Sequence, residues 1–226
     1  MPNAIRTSYR SGTRCTLAGL FTAALAFAAP AAEATIIGGT VTGGNAGGTF
    51  QKLTVPFTIS DPDNTVGNNN FDLPNLYGFD EDQNILITSA LVADVGGPIA
   101  ANTVVASHYI FFDPGPARDI IGTVDFDAPV LAIFTSTTRL ANTDFLANTG
   151  VNYLNPGARG LEAGDFVTIN GPQQIKFDTF AGSPGDYVRV LTAFSPGAVP
   201  EPATLALFGA ALAGLGLIRR RRKRSL

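Results

Sequence analysis

The residues of this chain best suited to chemistry are oxygen donors. Asp61, Asp63, Asn64, Asn68, Asn69, Asn70 and Asp72 crowd one loop between two strand-like runs. Hard carboxylate and amide oxygens of this kind suit calcium, with Asp61, Asp63, Asn64 and Asp72 as the candidate ligands. The D-x-D start invites an EF-hand reading, which fails: Gly67 falls one place late, the twelfth residue is Asp72 rather than Glu, and the flanks are strand-like. An irregular calcium site that stiffens a loop is one reading of this stretch. Turn formation is the other, because Asn and Asp side chains bond their own backbone and tolerate left-handed geometry.

Paired carboxylates could also cleave a glycan, since that reaction needs two acidic groups held at the right separation across a sugar. Asp80, Glu81 and Asp82 cluster in a stretch that reads as a turn, and Asp125 and Asp127 stand two apart, on one face of a strand. Against this, acidic neighbours arise readily in a carboxylate-rich chain, and solvated or turn-forming carboxylates are the expected reading. The single histidine, His108, follows Ser107 in a strand-like run. Alternation points the two side chains to opposite faces, so they cannot work as base and nucleophile, and no G-x-S-x-G elbow is present. His108 is read as a polar-face residue or a satisfied core residue. Zinc, which needs several His or Cys ligands, has no basis. No catalytic residue is assigned, and the chain is read as a non-enzyme.

The elements that must position these groups are strands. Short runs rich in Val, Ile, Thr and Phe are punctuated by Gly, Pro, Asn and Asp, and helical periodicity is nearly absent. Strands are expected near residues 36–42, 50–59, 85–93, 103–112, 120–126, 130–135, 165–169, 174–180 and 187–194, with weaker ones at 75–79 and 151–154 and a helical turn at 140–146. In the last strand Val188, Val190, Thr192 and Phe194 share one face, while Tyr187, Arg189 and Leu191 share the other. Both faces are largely apolar, which makes this strand central. Asn170-Gly171 is a turn signal for a hairpin between residues 166 and 180. The glycine-rich opening at residues 38–48 reads as a permissive edge or bulge. The fold class is all-β, a jelly-roll-like β-sandwich with an immunoglobulin-like arrangement as the alternative.

Two terminal segments carry signals of another kind. At the C-terminal side stand Val199, Pro200, Glu201 and Pro202, then a sixteen-residue apolar run at 203–218, then Arg219, Arg220, Arg221, Arg222, Lys223 and Arg224. Proline keeps the first strip extended and exposed. As a helix the apolar run would span about 24 Å, which flanking arginines can extend by snorkelling. The basic cluster keeps its end cytoplasmic and directs the preceding chain outward. This VPEP box, transmembrane helix and basic tail resemble the PEP-CTERM sorting signal of Gram-negative bacteria. The resemblance implies processing by exosortase near the Pro-Glu-Pro box, an inner-membrane intermediate, and delivery to the cell surface or extracellular matrix. At the other end, Arg6, Arg10 and Arg14 precede an apolar run at 15–29, and Ala32 and Ala34 are the small residues a signal peptidase reads.

The chain therefore divides into a secretory signal peptide (residues 1–34), a mature β domain (35–198) and a sorting segment (199–226). Nine of the 15 basic residues and two of the 18 acidic ones belong to the terminal segments, leaving a mature segment with 6 basic and 16 acidic side chains and a formal charge of −10. Such a surface repels phosphate backbones, which argues against nucleic acid as a partner. The one cysteine, Cys15, leaves with the leader, so disulfides and thiolate sites are excluded from the mature domain. Along most of its length that domain is similar to an uncharacterised β-rich type found ahead of this signal, through NLYGFDEDQN at 75–84, SHYIFFDP at 107–114, GLE at 160–162 and PGDYVRVLT at 184–192. The expected role is structural or adhesive, in envelope, exopolysaccharide or biofilm. A secreted calcium-assisted glycan-binding module is the alternative, and a carboxylate-dependent glycan hydrolase comes third. Tryptophan is absent, so a broad aromatic sugar platform is not expected.

Overall fold

The structure is a computed structural model in which residues 34–194 are described. Residues 1–33 of the expected 1–34 signal peptide, including Ala32, lie outside the described residues, as do the Val199–Pro202 box, the apolar run and the basic tail. Ala34 is described and is buried with Ala106 and Ala128. Among the described residues, no helix is long and apolar enough to cross a membrane.

The architecture is all-β. In chain order the strands are β1 (Ile36–Gly44), β2 (Phe50–Lys52), β3 (Thr65–Val66), β4 (Leu76–Asp80), β5 (Ile85–Leu86), β6 (Val95–Gly96), β7 (Val104–Phe112), β8 (Arg118–Phe126), β9 (Val130–Phe134), β10 (Asn152–Tyr153), β11 (Phe166–Gly171), β12 (Gln174–Ala181) and β13 (Asp186–Ala193). A helix, α1 (Thr137–Asn142), and a 3₁₀ turn at Asp144–Leu146 follow β9. One sheet runs β1-β8-β12-β11; the larger one runs β2-β4-β7-β13-β9-β6, with β5 also on β7; β3 and β10 pair by themselves.

The two large sheets stack over a shared apolar layer. Ile120 and Val124 of β8 and Ile175 and Phe177 of β12 join Ile110 and Phe112 of β7 and Val188 and Val190 of β13 in it. The opposite face of the larger sheet is also covered, by a layer that takes Phe57, Phe71, Leu140 and Val151 from the connections and packs them with Tyr77, Phe79, Tyr109, Phe111 and Tyr187. The rings interlock: Phe71 and Phe111 lie 4.8 Å apart at their centroids, and Phe111 and Tyr187 5.5 Å apart. Each such side chain stabilises the fold by roughly 1.5–3 kcal/mol when fully buried. Double coverage explains the sequence VVASHYIFF of β7, where every residue after Val104 is buried. Strand β13 lies between β7 and β9, the central place its two apolar faces predict.

Several boundaries differ from expectation. The strand read at 50–59 stops at Lys52; Leu53 still donates to the Gly78 carbonyl, and Pro56, without an N–H, keeps the residues beyond from resuming a ladder. The run at 85–93 keeps two strand residues; beyond them Ile87 bonds Asn102 and Thr103, and Leu91 pairs with Ile99. The hairpin of β11 and β12 is present, but its turn is Pro172-Gln173 rather than Asn170-Gly171, with a register shift between Ile169 and Gly171. Tertiary bonds select that turn: the Pro172 carbonyl accepts from the Val130 N–H and the Gln173 carbonyl from the Phe126 N–H. The glycine-rich opening is the edge strand β1, with bulges near Gly38 and Gly43. The weak segment at 75–79 is β4, a buried strand between the edge strand β2 and β7 in the larger sheet.

Gly48 marks a close backbone approach just before β2, since a Cβ there would lie 1.8 Å from the Pro74 carbonyl oxygen. Backbone cannot swing aside as a side-chain tip can. Gly48→Ala is therefore expected to cost about 2–3 kcal/mol, read as a lowered urea midpoint, whereas Gly47→Ala, with open space at its Cβ position but a positive φ, should cost less.

Candidate functional site

The end of β4 carries the densest polar chemistry. Asp80 occupies the last position of the strand and receives four donors: the Ile36 N–H (3.0 Å), the Thr35 hydroxyl (2.7 Å), the Lys52 ammonium (2.7 Å) and Nδ1 of His108 (2.8 Å). Burial alone would raise its pKa. The His108 hydrogen bond and charge, with Lys52 and the Ile36 amide, outweigh that and hold the carboxyl well below the usual carboxylate range. An ionised carboxylate only accepts, so His108 Nδ1 carries the proton toward Asp80, and Nε2 meets the Thr192 hydroxyl at 3.0 Å. His108 is fully buried. Ser107, on the opposite face of β7, donates instead to Glu81 (2.6 Å). The two side chains stand apart as alternation requires.

Glu81 departs from the turn reading. It is buried at 3% exposure and forms a two-pronged ion pair with Arg189 of β13, Nε to Oε2 at 2.6 Å and Nη2 to Oε1 at 2.9 Å. The Tyr153 hydroxyl adds a bond to Oε1 (2.7 Å). Arg189 Nη1 donates to the Leu140 carbonyl and the Thr143 hydroxyl, capping the end of α1, and reaches Asp144 at 3.3 Å. Arg159 makes a bidentate pair with the same Asp144. Burial opposes the Arg189 charge, but Glu81 outweighs it and holds the guanidinium protonated. The network ties β4, β7, β13 and α1 together. Sequence held one clue, Arg189 on the buried face of a central strand, because a charge there needs a partner.

The Asn/Asp loop does turn chemistry. Asn64, Asn69 and Asp72 take positive φ, and Asn70 closes the loop: its amide donates to the Asp61 carbonyl while its own carbonyl accepts the Asp61 N–H. Asn64 is committed to the Phe57 N–H and to the Gly150 carbonyl. Asp113, at the end of β7, accepts the Asn70 and Phe71 N–H groups at 2.9 and 3.3 Å, and its burial pushes its pKa up to about 6. Asp61, Asp63 and Asp72 are exposed and do not converge on one another as a carboxylate cluster among the described residues.

The remaining acidic candidates are also engaged. Asp125 accepts from Gln174 (2.6 Å) and Asp127 from the Thr35 N–H (2.8 Å). What stays open beside Asp80 is a hollow of about 570 Å³ whose polar lining includes Lys52, Asp80, Asp82, Gln83, Asn84 and Asn148. It offers hydrogen bonds without an aromatic platform, since Tyr77, Tyr109 and Tyr187 are all in the core.

Comparison with known proteins bears on the segment beyond this domain. Residues 198–223 match the family model of the PEP-CTERM protein-sorting motif. Neither the curated proteins nor the solved structures give a match to the chain. The match covers the VPEP box, the apolar run and most of the basic cluster, the same residues whose order resembles that signal. The chain thus carries a PEP-CTERM protein-sorting motif, which marks it as an exported protein sorted by exosortase.

Proposed function

We propose that the mature domain is a jelly-roll-like sandwich that works at the cell surface or in the extracellular matrix, in a structural or adhesive role within envelope, exopolysaccharide or biofilm, and without catalysis. The sorting motif carries this reading. Support comes from the way the domain spends its reactive groups: Asp80, Glu81, Asp125, Asp127 and His108 all serve contacts that hold strands together. In this reading the signal peptide exports the chain, a C-terminal helix holds it at the inner membrane, and exosortase releases it outward.

The experiment compares the full chain with a variant in which Pro200, Glu201 and Pro202 are replaced by alanine, expressed in the producing cell and fractionated. The native chain is expected in the surface and matrix fractions at reduced mass, and the variant at full mass in the inner membrane. Equal distribution of both would defeat the reading. The released protein is then sedimented with the cell's own exopolysaccharide in calcium and in EGTA.

A second reading, a calcium-assisted glycan-binding module, draws on the polar hollow beside Asp80. Saturable binding of oligosaccharide fragments, lost on Asn148→Ala, would favour it. Release of reducing ends would instead point to a hydrolase.

A further inference from the structure

A second group of carboxylates, outside the polar network of β4, gathers at the end of the layer between the two sheets. Glu162 and Asp165 come from the loop that leads into β11, and Asp186 opens β13. One carboxylate oxygen from each lies within 4.8 Å of the others. Asp186 shares the strand face of Val188 and Val190, and Thr179 of β12 shares the face of Ile175 and Phe177, so both point into the space between the sheets where the apolar layer ends.

Three acids together are by themselves unremarkable in an acidic domain. Here the innermost one is fully buried, at 0% exposure, and neither of its oxygens makes a hydrogen bond of ordinary length, although the Glu162 carboxyl and the Thr179 hydroxyl lie close by. The hydroxyl of Thr179, itself 3% exposed, is likewise unpartnered. Buried polar atoms without partners are rare and costly, and three of them at one spot mark a place built for something to sit. No basic side chain supplies the counter-charge: among the described residues Lys52, Arg139, Arg159, Lys176 and Arg189 pair with other carboxylates, and Arg118 bonds the Ala46 carbonyl. A surface hollow of about 340 Å³ borders the two outer acids, Glu162 and Asp165, together with Gly164, Phe180 and Gly182.

We propose that Glu162, Asp165 and Asp186, with the Thr179 hydroxyl, form a calcium site that pins the 162–165 loop across the open end of the two sheets. The donor set is all oxygen, with no nitrogen or sulfur, which selects hard cations. Calcium fits better than magnesium because it accepts irregular, mixed carboxylate and hydroxyl geometry completed by water, whereas magnesium demands near-octahedral placement and gives up its water reluctantly. The ligands come from the β11 approach, β12 and β13, so the ion would join both sheets. The site lies in a different part of the chain from the Asp61–Asp72 loop, and it does not depend on how the chain is sorted.

The test is thermal unfolding and terbium luminescence of the full chain in detergent, with calcium chloride against EGTA and with magnesium chloride as the control. At about 5 mM calcium the melting temperature should rise by about 4 °C or more, with little response to magnesium. Glu162→Gln, a substitution at an exposed position that leaves the fold intact, should weaken calcium binding about tenfold or more, and Asp186→Asn should abolish the thermal shift. Asp61→Asn with Asp63→Asn should leave both readouts unchanged. A native chain that does not respond to calcium overturns the site. So does a calcium response that survives in both Glu162→Gln and Asp186→Asn, or one that is lost only with the Asp61 and Asp63 changes.

Discussion

Replacing Glu81 with glutamine is expected to cost about 3–5 kcal/mol, the largest effect of any single substitution in the domain. The change leaves the Arg189 guanidinium in place, with both side chains of the former pair 0% exposed and its counter-charge removed. It also weakens what Ser107 and Tyr153 donate to, at 2.6 and 2.7 Å. For a domain of this size the melting temperature should fall by about 10 °C. Arg189→Met should cost a similar amount, because it strands the Glu81 carboxylate and releases the cap on the Leu140 carbonyl. The informative variant is the double one. With both charges gone the desolvation penalty disappears, so Glu81→Gln with Arg189→Met should be at least about 2 kcal/mol more stable than the sum of single effects requires. Urea unfolding of the four proteins measures this, and simple additivity would rule out the pair as a coupled unit.

Asp80→Asn is the second large effect, about 2 kcal/mol near neutral pH. Its side chain is 25% exposed, so it falls short of Glu81, but charged hydrogen bonds from Lys52 and His108 and bonds from Thr35 and Ile36 all converge on it. The effect depends on pH in a direction set by the depressed carboxyl. Unfolded, Asp80 protonates near its ordinary value of 3.8; folded, it protonates only at lower pH. Between those values the unfolded chain binds more protons, so stability rises with pH there. The contribution is complete above the ordinary value and is lost as pH falls through it toward the folded one. The gap between native and Asp80→Asn proteins should therefore be widest at pH 6 to 7 and shrink steadily below about pH 4. A gap that stays constant from pH 7 to pH 3 would exclude an ionised Asp80 as its source.

Both substitutions concern a stretch, Asp80-Glu81-Asp82, that reads locally as a solvated acidic turn. Its first residue is instead the last rung of β4, paired through the register with His108, and its second points into the core. Three acids in a row look alike by composition. Their fates differ because neighbouring side chains at a strand end face opposite ways, one toward Lys52 and His108 and the next toward Arg189. The same holds at the other end of the two sheets, where Asp186 looks like the flank of a Pro-Gly turn until Thr179, Glu162 and Asp165 are seen around it.

Sequence alone determined what depends on contiguous residues: the sorting segment, whose prolines, apolar run and arginines are read in order; the all-β class, which rests on period and turn residues; the centrality of β13, from two apolar faces; and the opposite orientations of Ser107 and His108. Only the tertiary structure decided which carboxylates are buried, which cations they meet, where the β11–β12 hairpin turns, and which acids gather around Asp186. The reason is distance along the chain. Glu81 and Arg189 are 108 residues apart and Asp80 and His108 are 28 apart, so their pairing is imposed by sheet register and leaves no local pattern to read.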